Sequence, residues 1–387
     1  MKYVRSSKCH YSKWLTADKQ SAIQELLEET HRVISWAIDK HHLSIAHCGM
    51  EKKQLLLAHN LHECKSWLTE RAKKNCFAEA FALVSGTKAS ADELKKEYTK
   101  PTHNPYRIML SSTNASINLN PGLKGFDLLV ELRCFDSRGR ARQIAIPLKR
   151  NDVFNGWFKK GKFATSVILT DRYIQFSFEV VCEKKRTGSV VGFDPGAKTL
   201  LTTDTGDKYG TDIWRLLEKL KRKKRCSHAW YACREEILEY IDKTCKEIPF
   251  EVIKYLVLED NRKIKNKMKI RRKGKRLSKT NRSVLTGWAL GRIDHRCKLL
   301  SEENGVSFRR VPAWNNSRTC PDCGCCEEAN RVSQDVFVCR KCGHIWHADV
   351  VGATNTLARF ALGPYGVECK PEFMERHPGY YQLRATG

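Results

Sequence analysis

Residues 188–196 read GSVVGFDPG, residues 252–260 read VIKYLVLED and residues 347–360 read HADVVGATNTLARF. The first two are apolar runs of strand length that end on a carboxylate, Asp194 and Glu259. Unbroken apolar runs predict buried strands, and a carboxylate at the end of one sits on a rigid element at the open edge of the sheet. That edge is where α/β proteins place ligands. The third stretch predicts a closing helix with Asp349 at its start, where the helix dipole favours an anion. Between them, helical patterns at 212–224 and 229–246, a helix from about 283 to 304 stopped by Gly305, and a strand at 306–314 alternate with these runs. The segment from 186 onward therefore predicts an α/β domain.

The three carboxylates stand 65 and 90 residues apart, so only the fold can bring them together. Converging in a basic protein, they would make a site for hard cations such as Mg²⁺, which takes oxygen ligands and keeps waters that phosphate oxygens can replace. Two such ions can drive an in-line displacement at phosphorus. Each carboxylate also has a plainer reading. Asp194-Pro195-Gly196 could be an ordinary turn, Glu259 could pair with Arg262, and Asp349 could be a helix cap.

Seventeen cysteines occur, six of them between Cys320 and Cys342. Cys320-Pro-Asp-Cys323-Gly and Cys339-Arg-Lys-Cys342-Gly are two CxxCG knuckles with 15 residues between them. Each bend lets two thiolates reach one ion, and four sulfurs suit a tetrahedral, structural Zn²⁺. Cys325, Cys326, His344 and His347 lie close enough in sequence to replace one ligand. The scattered cysteines fit as small buried hydrophobes.

The N-terminal half has a different texture. Residues 17–99 read as helical, with Ile23, Leu26, Leu27, Val33, Ile34, Ala37 and Ile38 at helical spacing and a second periodic stretch from Gln54 to about Phe81. Gly86 and the TKAS that follows predict a break before a short charged helix near 90–99, and Pro101 and Pro105 mark a boundary. From Tyr106 to Val181, FDLLVELRCF, RQIAIPL, ATSVILT and YIQFSFEVV alternate with the turn signals NPG, DSRG and TDR. Closely spaced strands of that kind predict a small antiparallel barrel or sandwich, to which the N-terminal KYVR could add a strand.

Lys and Arg number 70 against 43 Asp and Glu, a formal charge of +27. Such a field suits a polyanion, with phosphate contacts supplying most of the affinity. No apolar run nears the roughly 20 residues needed to span a bilayer, so no membrane partner is expected. The first 14 residues hold no apolar signal core, and a cytoplasmic location is expected. From Arg262 to Arg282, 12 of 21 residues are basic, and from Arg215 to Arg225, seven of 11. Arg262, Lys263, Lys265, Lys267, Arg271, Arg272, Lys273 and Arg276, with Lys221 and Lys224, are the candidate nucleic-acid contacts. They would track phosphates without reading sequence. The competing reading is a solvated charged loop. Trp157, Phe158 and Trp314 could stack on bases, although core packing serves most aromatics.

An Asp-Pro-Gly after one strand, a Glu after another, a paired CxxCG ribbon, then Asp349 and Asn355 form an ordered series. That series resembles the TnpB proteins of bacterial insertion sequences and their relatives, the compact type V CRISPR effectors. The resemblance covers about 188–360, with Trp288, Ser317 and the approach WNNSRTCPDCG fitting the pattern. It implies an RNA-guided DNA endonuclease with an RNase H-like RuvC domain that cuts DNA beside a short flanking motif. It implies a guide RNA and double-stranded target DNA as partners, two Mg²⁺ ions (Mn²⁺ as a substitute) at Asp194, Glu259 and Asp349, and one structural Zn²⁺. The implied α+β architecture is a β-barrel wedge domain at 1–16 and 101–185 and a helical recognition domain at 17–100. A RuvC domain at 186–316 and 347–362 follows, with a zinc ribbon at 317–346 inserted; a tail at 363–387 lacks periodicity and is expected to be disordered. Two departures stand out: His347-Ala348-Asp349 lacks the arginine that the family often has before the last aspartate, and Gly352-Ala353-Thr354 stands where Asn-Ala-Ala is common.

Two other functions compete. One is a nuclease-dead, guide-directed repressor, which the presence of all three carboxylates argues against. The other is a structure-specific nuclease or transposase that needs no RNA.

Overall fold

The computed structural model of the chain describes residues 1–11, 15–93, 96–261, 290–313 and 315–361. The expected tail at 363–387, the basic run at 262–282, Trp288 and Trp314 lie outside the described residues. The chain divides into two compact units between Val181 and Cys182.

The N-terminal unit begins with β1 (Lys2–His10), followed by α1 (Ala17–His47), the short α2 (Lys52–Leu55) and α3 (Ala58–Glu63), and α4 (Glu70–Glu93). All seven apolar residues picked out by their spacing in α1 are buried, and α1 packs on α4. The expected break at Gly86 does not occur, because α4 runs through it to Glu93. A mid-helix glycine costs about 1 kcal/mol relative to alanine. Burial of Cys76, Phe77, Ala80 and Val84 along the same helix outweighs that cost. The periodic stretch from Gln54 is instead interrupted earlier, by the turns around α2 and α3.

After Pro105 come β2 (Arg107–Leu110), β3 (Ala115–Asn118), β4 (Leu128–Phe135), β5 (Ala141–Leu148), α5 (Asp152–Lys160), β6 (Lys162–Thr170) and β7 (Tyr173–Val181). They form two antiparallel sheets, ordered β1-β7-β6-β2 and β3-β4-β5. The N-terminal strand pairs along its full length with β7, Lys2 opposite Val181 and His10 opposite Tyr173. Strict alternation makes this possible: Ile174, Phe176, Phe178 and Val180 of β7 are buried while their neighbours are not, as a strand with one covered face requires. The sequence reading missed α5, whose Phe154 fills the space against Phe176 and Phe178.

The C-terminal unit is built on a five-stranded sheet. Its strands are β8 (Ser189–Asp194), β9 (Leu201–Thr203), β10 (Lys208–Tyr209), β11 (Ile253–Asp260) and β12 (Ser307–Pro312). The spatial order is β10-β9-β8-β11-β12. Strands β8, β11 and β12 run parallel, and β9 and β10 continue from β8 as an antiparallel meander. One face of the sheet is covered by α6 (Ile213–Lys221), α7 (His228–Thr244) and α8 (Leu290–Glu303), with Phe193, Leu256, Leu258, Ile237, Ile241 and Ile293 in one apolar core. The other face carries α9 (Ala348–Ala361), packed on β8 and β12. A small ribbon with β13 (Val336–Val338) and β14 (Ile345–His347) separates β12 from α9. No described helix is long and apolar enough to cross a membrane.

Candidate functional site

Phe193 of β8 pairs with Leu258 of β11 in parallel register. The next residue on each strand is the carboxylate, so Asp194, the last residue of β8, lies beside Glu259, one residue before the end of β11. The spacing of neighbouring strands in any sheet is about 4.8 Å. Side chains alternate along a strand, so Gly192 and Asp194 share one face, the face that α9 covers. Two glycines permit the close approach of α9. A Cβ on Gly192 would sit 2.5 Å from the Ala353 carbonyl oxygen, and one on Gly352 would sit 2.7 Å from Asp194 Oδ2. Asp349 lies in the first turn of α9, 8% exposed. Its backbone nitrogen donates to His347 Nδ1 at 3.3 Å.

All three acids are raised by burial, and Asp194 also feels the charge of the other two. Burial, then the negative charges of Glu259 and Asp349, hold the Asp194 carboxyl well above the usual carboxylate range. Burial also raises Glu259, against the hydrogen bond from Asn316 and the charge of Arg359. Burial raises Asp349, against the charges of His347 and Arg331. Carboxyls that burial and repulsion disfavour as anions form an oxygen donor set that a hard divalent cation would relieve. Arg331 acts on all three acids. It leaves the ribbon half-buried, with Nη2 donating to the Gln334 carbonyl at 2.9 Å. Sequence reading missed it. The arginine absent before Asp349 drew attention to the wrong place, and nothing in the local pattern around 331 marks a residue that only the ribbon's fold brings to the acids.

The ribbon holds the second cluster. The sulfurs of Cys320, Cys323, Cys339 and Cys342 all lie within 4.8 Å of one another. Among the described residues, no set containing the three carboxylates is drawn as close. Cys320 faces Cys342 at 3.7 Å and Cys323 faces Cys339 at 3.4 Å. Gly324 and Gly343 follow the knuckles at φ +75° and +74°. In that left-handed conformation their N–H groups turn back to the Cys320 and Cys339 carbonyls. Burial pushes the Cys323 thiol up to about 11. Burial also acts on Cys339, yet N–H groups from Cys342 and Lys341 and the neighbouring sulfurs bring it down to about 7. A crowded set with one thiolate near neutrality fits a thiophilic metal. Of the sequence neighbours, Cys325 contacts Glu327 Oε1 at 3.5 Å, and His344 pairs with Asp322 at 2.7 Å. Cys320 and Cys339 pack with Phe337 onto Ala348 and Val351, so the ribbon is seated on the start of α9, beside Asp349.

Of the candidate nucleic-acid contacts, Arg262, Lys263, Lys265, Lys267, Arg271, Arg272, Lys273 and Arg276 lie outside the described residues. Lys221 and Lys224 are exposed at and beyond the end of α6. Lys221 pairs with Glu218 at 3.3 Å. Phe158 packs at 5.8 Å against Phe154, in line with the core packing expected of most of the aromatics.

A family model described as Cas12f1-like, TNB domain, matches residues 291–356. The CRISPR-associated endodeoxyribonuclease Cas12f1 of Sulfoacidibacillus thermotolerans is 30% identical over 71 residues, 18% of this chain and 17% of that protein. The CRISPR-associated DNA-binding protein Cas12m of Thermanaerosceptrum fracticalcis is 39% identical over 56 residues, 14% of this chain and 9% of that protein. The matched segments thus span less than a fifth of either relative's length. The likeness over most of the chain is one of fold. A cryo-EM structure of a Cas12f1–sgRNA–target DNA complex matches with a TM-score of 0.52 at 14% identity, covering 88% of this chain and 83% of that one. In its motif series, its ribbon and its α+β fold, the chain is similar to the compact type V effectors.

Proposed function

We propose that the chain is an RNA-guided DNA endonuclease whose cutting site is Asp194, Glu259 and Asp349 in a RuvC domain. The observation that carries this reading is the register of β8 and β11, which sets two carboxylates side by side near the ends of parallel strands and faces both toward the helix that brings Asp349. The strand order, an antiparallel meander continued by two parallel strands, is the order expected of an RNase H-like sheet, and supports the same reading. The complex of guide RNA and target DNA named for the fold relative, with the charge of +27, supports nucleic-acid partners for this chain.

Two Mg²⁺ ions held by the three carboxylates would supply the positive charge for in-line displacement at phosphorus. The chain's own residues supply the rest. Asp194 and Glu259 present their oxygens side by side from rigid strands, and Asp349 closes the set from α9. The charge of Arg331, which lowers all three acids, would suit the charge of a phosphate as it is displaced. Four cysteines would hold one Zn²⁺ with no position left for substrate, so this metal shapes the ribbon and takes no part in the cutting. The N-terminal unit would serve as wedge and recognition domains, and the protein would act in the cytoplasm. Specificity would come from base pairing with the guide, while the basic segments track backbone phosphates.

The test is to purify the full chain, sequence the RNA that accompanies it, and offer DNA matched to that RNA beside randomised flanking sequence with Mg²⁺. Cutting of matched DNA next to a defined flank is expected. Binding without cutting would favour the repressor reading, which the DNA-binding name of the second relative supports. Cutting by RNA-free protein would favour the structure-specific nuclease.

A further inference from the structure

Segment 315–319 leads from β12 into the first knuckle, and it also touches the carboxylates. Asn316, 2% exposed, donates from Nδ2 to Glu259 Oε1 at 2.6 Å and to Thr356 Oγ1 at 3.0 Å. Turning the amide over would set its oxygen against the carboxylate, acceptor to acceptor, so the nitrogen belongs there. The backbone of the segment is gripped in turn from α9. Asn355 Nδ2 donates to the carbonyls of Asn316 at 2.7 Å and Thr319 at 2.8 Å, and the Arg359 guanidinium donates to the Pro312 carbonyl. Asn355, Thr356 and Thr319 are fully buried, and Thr319 is bonded to Cys320 and bridged to Cys326.

Glu259 is thus held at one oxygen. Among the described residues its Oε2 has only a long 3.5 Å contact with Asn261 Nδ2, too long to fix a carboxylate. A lysine at 316 could also anchor Oε1, but its charge would cancel the anion that a cation needs, whereas an amide orients without neutralising. Among the described residues, the Oδ1 atoms of Asn316 and Asn355 are both buried without a partner. Leaving two acceptors unpaired is unfavourable, which marks the two donors as the reason for these amides.

We propose that Asn316 is a positioning residue for the metal site. It fixes Glu259 from the entry to the ribbon, and Asn355, by clamping that entry, couples the folded state of the ribbon to the carboxylate. The proposal rests on reading Asp194, Glu259 and Asp349 as a divalent-metal site.

The test uses the full chain with its co-purified RNA. Mn²⁺ binding is followed by electron paramagnetic resonance of the free ion, zinc content is measured, and cutting is titrated with Mg²⁺. Asn316→Ala should weaken Mn²⁺ binding by about tenfold or more and raise the Mg²⁺ needed for half-maximal cutting by a similar factor. Zinc content and DNA binding should be unchanged. Asn355→Ala should act in the same direction, and the double variant should be no worse than the more affected single one. Should Asn316→Ala lose zinc or precipitate, Asn316→Ser, too short to reach the carboxylate, is read in its place with the same expectation. Metal binding like that of the unaltered chain overturns the proposal, as do losses that add in full in the double variant. Glu259→Gln separates the two layers: an unaltered chain that binds Mn²⁺ no better than Glu259→Gln overturns the metal-site reading itself.

Discussion

Two clusters of acidic ligands lie in the C-terminal unit, and they are assembled in opposite ways. The thiols of Cys320, Cys323, Cys339 and Cys342 come from 23 consecutive residues and are drawn within 4.8 Å of each other by two tight turns. The carboxyls of Asp194, Glu259 and Asp349 span 156 residues and meet only because two parallel strands and one helix end at the same edge. The thiol set encloses its centre. The carboxyl set stays more open, raised by burial and, at Asp194, by the charges of the other two acids. A closed soft set stabilises structure; an open hard set, held apart on rigid elements, leaves room for a phosphate between its ions.

The comparison breaks if the ribbon can be lost without consequence for the acids. Cys323→Ser should reduce zinc content to near none and unfold the ribbon, and with the seat of α9 gone cutting should fall to background. Metal analysis and single-turnover cleavage check this, and full zinc content would assign the fourth ligand to Cys325 or Cys326. Gly352→Ala tests the opposite cluster by a methyl group placed 2.7 Å from Asp194 Oδ2. Displacing that carboxylate should slow cutting by roughly 10- to 100-fold at unchanged zinc content; an unchanged rate would show that α9 has room to retreat. Arg331→Ala should slow cutting by about tenfold, the worth of one charge-assisted contact. Its effect should appear in the rate and not in DNA binding.

The smallest effect is one of stability. Folding raises the Asp194 carboxyl above its ordinary 3.8, so the folded chain holds that proton more tightly than the unfolded one. In the absence of divalent ions this favours the fold below about pH 4, and the advantage is lost as pH rises through the folded value. Asp194→Asn should therefore raise the melting temperature of the ion-free protein by a few degrees at pH 7.5 and leave it unchanged near pH 4. Equal shifts at both pH values would show that the gain is not electrostatic. For the unaltered chain, added Mg²⁺ should raise the melting temperature at pH 7.5, where the acids are frustrated anions.

How far each cluster could be read from sequence follows from the same contrast. The CxxCG knuckles are local, so spacing alone located them. The strand-end acids each had a plainer reading alone, and only the ordered series with the knuckles singled them out, because their meeting is tertiary. What stayed hidden was set by packing at a distance. Arg331 and Asn316 sit in polar stretches with no periodicity, and their targets are 40 and 57 residues away for Asn316 and as far as β8 for Arg331. Gly352 reads as a weak point in a helix until the carboxylate beneath it is seen. In the N-terminal unit the helical spacing of α1 was legible, but Gly86 misled, because tertiary burial along α4 overrides a local propensity of about 1 kcal/mol. The hairpin β9–β10 and helix α5 are too short for periodicity to reveal.

The central claim is that three acids far apart in sequence act as one cutting site. It is tested most directly by single-turnover cleavage of matched DNA, with guide-directed binding measured alongside, for Asp194→Ala, Glu259→Gln and Asp349→Ala. Each substitution alone should slow cutting by about a thousandfold or more, about 4 kcal/mol of transition-state stabilisation, with binding nearly intact. Cutting retained at near the unaltered rate by any one of the three would contradict the account.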